Sequence, residues 1–567
     1  MLILGLGGLG YKDSSAALVR DGRLLAAASE DRFSRIKHQG GYPARAVDAC
    51  LRIAGVSLAD VDHVAVANNP WLALRSKVLD WYGERFFESP EFRAFHIFHD
   101  ELHSTLLYLK SLEDLRQGRD GRFHVVRHHL SHMASSFLAG PAPEAAILEM
   151  DGRGEISTSA VGSGHGARID VFRVDEMPNS LGLLYAAVSD FLGFEGQDDE
   201  FRVMTISTQG EPTFAAQFRE IVRLGPDGSF QLDPSYFHYR DGLGALSERF
   251  LKSFGTPRRR GEPVLQRHRD IAASLQRAGE EAVLHAARYL HERTGLETLC
   301  FAGGVALNWV VNGRLAAESP FRHVYVNPMA GDEGTAVGAA LHVHASVTGS
   351  RPEPITSAAL GPAATDAEIE DTLRRTGHAY ERPTDTPAAA AELLAGGAIL
   401  GWFQGRAEFG PRGLGHRAIL ADPSNAATKG RLLRDVKPRA EHHPFALSIT
   451  EERSAELFHD AAASPYMLRW DTVSEAARTA LGGVVTSGGI VRWHGVSPLR
   501  EPDFHRLLVA FGARTGRAPA LLNTSLNRPG QPPAVTTAEA LEVFATTGLD
   551  ALFVGPYLVR KSGAVRT

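Results

Sequence analysis

Cysteine is nearly absent: Cys50 and Cys300 are the 2 in 567 residues. Two thiols build neither a disulfide framework nor a four-thiolate zinc or iron–sulfur site, so a metal here must be held mainly by imidazole and carboxylate. Lysine is also scarce. Of 60 basic residues only 8 are Lys, at 12, 37, 77, 110, 252, 429, 437 and 561. The abundance of Ala and Arg looks like the codon bias of a high-GC genome, so an Arg says little and a Lys says more. There is no excess of positive charge: 66 acidic residues give a formal charge of −6, which weighs against a generic nucleic-acid binder. No run approaches ~18 uninterrupted apolar residues, so no membrane span is expected. The first ten residues lack a basic start and a cleavage site, so no secretory signal is expected and the reduced cytoplasm is the expected compartment.

What is present is a soluble-protein balance of 44% hydrophobic and 22% charged residues. The length suggests about four domains or two large ones. Residues 2–6 read as a strand followed by Gly7, Gly8 and Gly10. Asp21-Gly22 reads as a hairpin turn between 16–20 and 23–29. Pro43 and Gly55 bracket a helix, and 61–67 is a further strand. Residues 145–150, 151–155 and 157–162 repeat the pattern of strand, acidic Gly turn and strand, which points to an internal duplication. A long helix over 270–294 leads to a buried strand at 299–301, a Gly303-Gly304 turn, a strand at 324–327 and a helix over 334–344. A Pro/Gly-rich stretch places a domain boundary near 355. Helices at 366–376 and 387–397, a strand at 398–403 and a last strand over 549–559 follow.

His128 and His132, four apart, share one face of a helix and can both reach an ion. At about 100° per residue they lie opposite Leu130, Met133, Ala134, Phe137 and Leu138. The spacing equally fits a hydrogen-bonded or surface pair. Asp151 and Asp332 are carboxylates able to complete a site suited to iron or another divalent transition metal. His96, His99 and His103 form a second helical trio, without an accompanying Gly turn. Three Gly-rich turns after strands (7–15, 151–155 and 303–305) suit phosphate binding and are also common α/β turns. In the second half, Arg406, Arg412, Arg417, Lys429, Lys437 and Arg439 offer cationic anchors for phosphate or a solvated basic surface. Asn523-Thr524-Ser525 leaves a strand as a polar cluster. Arg258–Arg260, flanked by Pro257 and Pro263, reads as a solvated loop.

Taken together, residues 30–38 (EDRFSRIKH), 128–132 (HHLSH), 151–155 (DGRGE), 302–308 (AGGVALN), 405–417 (GRAEFGPRGLGHR) and 523–527 (NTSLN) resemble the ATP-dependent O-carbamoyltransferases of natural-product biosynthesis. That family includes enzymes acting on aminoglycosides, cephalosporins and ansamycins, and the nodulation carbamoyltransferases. The resemblance runs nearly end to end. It implies an α/β protein whose residues 1–355 form a duplicated actin-like, ribonuclease H-like carbamoyl-transfer domain. Residues 356–567 would be similar to threonylcarbamoyl-AMP synthase and would make carbamoyl-adenylate from ATP and carbamoyl phosphate. It implies metal ligands His128, His132, Asp151 and Asp332 for Fe2+ or another divalent transition ion, with Mg2+ accompanying ATP and His129 outside the ligand set. Gly152, Gly303, Gly304 and Asn308 would form the nucleotide wall. Arg412, Arg417, Lys437, Arg439, His443, Asn523, Thr524 and Ser525 would bind carbamoyl phosphate and adenylate, and Arg412 and Lys437 would also act in catalysis. The implied partner is a small-molecule hydroxyl acceptor, with no nucleic acid or membrane; a homodimer stays open.

The chain departs from the family pattern in three places. Lys12-Asp13 stands where the family has His-Asp, so Lys12, Asp13 or another group must activate the acceptor. Residues 201–207 read FRVMTIS in place of the Gly-Lys and Met-Gly-Leu-Ala pattern, and His443 replaces an Arg before Pro444. Three other readings compete: a hydrogenase-maturation carbamoyl transferase, which the 2 Cys disfavour because that family carries zinc fingers; a tRNA threonylcarbamoyl enzyme, which the charge disfavours; and a non-catalytic actin-like protein, which leaves the metal and Arg/Lys sets unexplained.

Overall fold

The computed structural model describes residues 1–8, 12–69, 72, 109–119, 121–196, 199–238, 245–438, 445–458, 463–486 and 488–561. They divide into two compact units, Met1–Ser34 with His38–Ile355, and Arg35–Lys37 with Thr356–Thr567.

In the first unit, β1 (Leu2–Gly7) is buried along its whole length, as its unbroken apolar run requires of a central strand. It pairs antiparallel with β2 (Ser15–Arg20), which pairs antiparallel with β3 (Arg23–Ser29). The Asp21-Gly22 turn between them has φ of 50° and 84°, the left-handed pair that a two-residue hairpin needs. β4 (His63–Ala67) and β5 (Phe123–Val126) add in parallel, giving the order β3-β2-β1-β4-β5. A second sheet repeats this arrangement. β6 (Glu144–Met150), β7 (Ser157–His165) and β8 (Arg168–Glu176) form the antiparallel part, and β9 (Thr298–Ala302) and β10 (His323–Val326) add in parallel, in the order β8-β7-β6-β9-β10. Order and strand directions match throughout, so the duplication is structural, and the unit is of the actin-like type. The loops after β1 and after β6, which carry Asp13 and Asp151, are therefore equivalent positions.

Helices on the first unit's sheets include α1 (Ala44–Ala54), α2 (His128–Phe137), α3 (Gln266–Thr294), α4 (Trp309–Glu318) and α5 (Thr335–Thr348). α1 ends at Gly55, whose φ of 65° is the left-handed stop. α5 lies against both β1 and α2. Gly338 allows this, because a Cβ there would collide with the Ser131 carbonyl. In the Arg258–Arg260 loop, read as solvated, Arg259 and Arg260 are exposed and Arg258 is the exception. Arg258 is buried, and its guanidinium donates to the carbonyls of Leu192, Gly193, Arg259 and Glu262.

The second unit is one nine-stranded sheet. In chain order it contains α6 (Asp366–Arg375), β11 (Tyr380–Glu381), α7 (Thr386–Ala395), β12 (Leu400–Phe403), β13 (Arg417–Ala421), β14 (Ala446–Thr450), β15 (Arg469–Thr472), β16 (Ile490–Val496), α8 (Pro502–Thr515), β17 (Ala520–Ser525), α9 (Thr537–Thr546), β18 (Ala551–Val554) and β19 (Tyr557–Arg560). The sheet order is β11-β19-β18-β12-β13-β17-β14-β16-β15. One face packs against α7 and α8, the other against α6 and α9, each with its own apolar core. The segment 549–559, expected as one strand, is two, turned back at Gly555 with φ 53°. No helix among the described residues is long and apolar enough to cross a membrane.

Candidate functional site

α2 is buried nearly all round, so its histidines face a polar centre inside the fold and not solvent. The buried carboxylate of Glu155 fixes the start of this helix, accepting from the His128 and Asn69 N–H groups and from Arg127. One helical turn separates the two imidazoles, and His132 Nε2 lies 3.0 Å from His128 Nε2. Asp151, at the end of β6, places Oδ2 3.2 Å from His128 Nε2, and Asp332, just before α5, places Oδ1 3.5 Å from His128 and 3.4 Å from His132. One ligand atom from each of the four residues lies within 4.8 Å of the others. Gly304 N–H donates to Asp151 Oδ1 at 2.7 Å, so the Gly303-Gly304 turn orients this carboxylate. Gly303 has φ 89° and would drive a Cβ into the Met150 carbonyl.

The donor set fits a divalent cation. Ligand atoms about 2.1 Å from a shared ion stand roughly 3.0–3.5 Å apart, which matches the four separations above, while His132 Nε2 and Asp151 Oδ2 stand wider at 3.9 Å. Among the described residues, Asp332 Oδ1 is buried without a hydrogen bond, as is the ring nitrogen Nδ1 of His132. Burial opposes charge on His128, yet Asp151 and Asp332 hold its pKa well above the usual value. Burial likewise opposes ionisation of Asp332, but the two imidazoles hold its pKa well below that of an ordinary carboxylate. The centre thus favours positive charge. His129 is not one of the four; burial pushes its pKa down to about 4.

Lys12 lies in the field of Asp13, Asp332, Glu200 and Asp151, which outweigh burial and raise its pKa. Asp13 has φ 57° and pairs with His38 Nδ1 at 2.7 Å. Its loop is tied to the Asp332 loop, because Ser15 Oγ donates to the Glu333 carbonyl. Gly152 supplies a carbonyl to Ser180 Oγ. Asn308, expected at the nucleotide wall, stands at the start of α4. Its Oδ1 caps α4, accepting from Val310 and Val311, and its Nδ2 donates to Gln276, so the amide is engaged within the fold.

In the second unit, Lys437 is fully buried and donates to Asn527 Oδ1, which also accepts from Ser525 Oγ. Asn523 donates to the Gly413 carbonyl, next to Arg412. Arg417, expected to bind carbamoyl phosphate and adenylate, is buried. Its guanidinium donates to the carbonyls of Gln404, Gly405, His416 and Pro362 and stacks on Phe403, so it braces the loop that displays Arg412. Glu408 clamps the same loop, with Oε1 accepting from the N–H groups of Leu414, His416 and Arg417. Arg406 also turns inward, to the carbonyls of Leu360 and Gly361. Thr524 follows Asn523 on β17. Arg439, His443 and the trio His96, His99 and His103 lie outside the described residues. Sequence reasoning missed Glu408 as a clamp and Asn527 as the meeting point of Lys437 and Ser525, although both stand inside the quoted motifs.

The family described as Carbamoyltransferase N-terminus matches residues 2–341, and that described as Carbamoyltransferase C-terminus matches 391–561. The chain belongs to the carbamoyltransferase family. It is 36% identical to an uncharacterised protein of Synechocystis sp. over 99% of this chain and 97% of that one. It is 36% identical to nodulation protein NolNO of Sinorhizobium fredii over 97% of this chain and 79% of that one. To the 3'-hydroxymethylcephem-O-carbamoyltransferase of Streptomyces clavuligerus it is 26% identical over 91% of both. This carbamoyltransferase is an O-carbamoyltransferase, with the His/Asp centre in the part matched by the N-terminal family and the Arg412 loop in the part matched by the C-terminal one.

Proposed function

We propose that this O-carbamoyltransferase uses ATP and carbamoyl phosphate to carbamoylate a hydroxyl of a small-molecule natural product, by way of carbamoyl-AMP. The observation that carries the reading is the convergence of His128, His132, Asp151 and Asp332 in a duplicated actin-like unit. In the second unit, carbamoyl phosphate and water give carbamate and phosphate. A carbamate oxygen then attacks the α-phosphorus of ATP and pyrophosphate leaves. Arg412 offers a planar fork for phosphate oxygens and Lys437 a compact charge, offsetting the negative charge that develops. In the first unit the acceptor oxygen attacks the carbamoyl carbon, the bond to AMP breaks, and the hydroxyl proton goes to a base. Asp13, oriented by His38, is our candidate base, and Lys12 offsets charge beside it.

His128, His132, Asp151 and Asp332 would hold the iron-type ion. Bound there, a divalent ion supplies Lewis-acid stabilisation of negative oxygen on the adenylate. Adenylation is needed because the carbamoyl nitrogen donates into its carbonyl and makes a poor electrophile. The test is pyrophosphate release by the full chain with Mg2+. Release requiring both ATP and carbamoyl phosphate supports the reading, and no release with both present contradicts it.

A further inference from the structure

Three buried polar side chains on one face of the nine-stranded sheet form a chain in which Asn523 alone has an expected place in the reaction above. His494 on β16 and Ser448 on β14 are 0% exposed, and Asn523 on β17 is 1% exposed. Strand register brings them together. Ser448 stands opposite His494 in the parallel β14–β16 pair and opposite Leu521 in the antiparallel β14–β17 pair. Leu521 and Asn523 are two apart and share a face. That face is the one covered by α8, where the rings of Phe504 and His494 stack.

The hydrogen bonds fix which way the Asn523 amide points. Its Nδ2 donates to Ser448 Oγ at 2.9 Å and to the Gly413 carbonyl at 3.1 Å. A carbonyl only accepts, so the NH2 must face Gly413 and both of its hydrogens are engaged. Oδ1 is left buried with no donor among the described residues. Behind it, Ser448 Oγ lies 3.3 Å from His494 Nδ1. His494 Nε2 is also buried, with no hydrogen-bond partner among the described residues. Each tautomer leaves one hydrogen, Ser448 O–H or His494 Nε2–H, without an acceptor among the described residues, so the ring holds the hydroxyl whichever group donates, and Ser448 Oγ accepts from Asn523 in both. Burial, together with the charges of Arg500 and His416, pushes the pKa of His494 down to about 3 and keeps the ring neutral.

The leftover acceptor therefore belongs to a side chain that braces the backbone next to Arg412. We infer that Ser448 and His494 are positioning residues that hold Asn523 with its carbonyl oxygen toward the acyl group, and that this oxygen selects an acyl phosphate whose acyl group carries an N–H donor. The inference rests on the carbamoyl phosphate reading above and adds the means of discrimination. Carbamoyl and acetyl groups are close in shape and differ as NH2 and CH3. An acceptor already buried gains a partner from the first and stays unpaired with the second, and such sites discriminate strongly.

The test uses the full chain, with pyrophosphate release as readout and acetyl phosphate as competitor. Wild type should show a Ki for acetyl phosphate on the order of 100 times its KM for carbamoyl phosphate. Ser448→Ala and His494→Leu should narrow that ratio about tenfold through the carbamoyl phosphate KM, with the KM for ATP unchanged. His494→Asn, whose amide offers both a donor and an acceptor near the Nδ1 position, should restore the ratio. If Ser448→Ala does not fold, the comparison of His494→Leu with His494→Asn decides. An unchanged ratio in the variants, or equal weakening of both acyl phosphates, overturns the inference. A wild type that releases pyrophosphate but binds acetyl phosphate as well as carbamoyl phosphate overturns the inference alone. A wild type that releases none overturns the carbamoyl phosphate reading as well.

Discussion

His132 Nε2 stands 3.0 Å from His128 Nε2, and Asp151 and Asp332 close around the pair. Two imidazole nitrogens so placed can share one proton or together face a cation, and the two carboxylates suit the cation. His132→Ala is expected to lower Fe2+ affinity on the order of 100-fold or more. Calorimetric titration of Fe2+ under anaerobic conditions measures this, and unchanged affinity would contradict the ligand set.

Gly338 lets α5 lie directly on α2 and so delivers Asp332 to the histidines. Gly338→Ala forces a Cβ into the Ser131 carbonyl, and the expected destabilisation is about 3 kcal/mol. Denaturant unfolding measures it. A variant as stable as wild type would show that the helices separate easily.

The Arg412 loop is held from within by Glu408. Glu408→Ala strands three backbone N–H groups, with an expected loss of about 2 kcal/mol or more. Glu408→Gln keeps one accepting oxygen and should lose less. Pyrophosphate release should fall in the alanine variant before the first unit's Fe2+ binding changes.

The buried His494 gives the second unit a pH dependence. Its pKa is about 3 in the fold against 6.5 unfolded, so the unfolded chain binds more protons between those values. Stability from this group is complete above about pH 6.5 and is lost as pH falls toward 3, with a limiting slope of about 1.4 kcal/mol per pH unit. Glu501 runs the other way: burial raises its pKa to about 8 from 4.5, so its contribution falls as pH rises through that range. His494→Asn should remove the first effect only. The stability gap between wild type and variant should then shift in the variant's favour as pH drops from 7 to 4, read by urea unfolding.

The fold was legible wherever the chain carries local punctuation. Asp21-Gly22, Gly55 and the acidic Gly turn at 151–155 mark hairpin, stop and repeat through their own backbone preferences. His128, His132 and Asp151 were legible because helical spacing and a strand end are local facts. The direction of a long side chain was not. Arg417, Arg258 and Asn308 carry ligand-like chemistry, yet packing turns each onto the protein's own backbone or amides. Nor was the Ser448–His494 pairing, because it depends on a strand register set by distant segments.

The most direct test of the two-step account supplies carbon-labelled carbamoyl phosphate, ATP and Mg2+ to wild type and to His128→Ala, and follows pyrophosphate and labelled carbamoyl-AMP. The account predicts that both proteins release pyrophosphate and form carbamoyl-AMP, while only wild type passes label to a hydroxyl acceptor. Absence of pyrophosphate and carbamoyl-AMP with wild type, or loss of both steps in a folded His128→Ala protein, would contradict it.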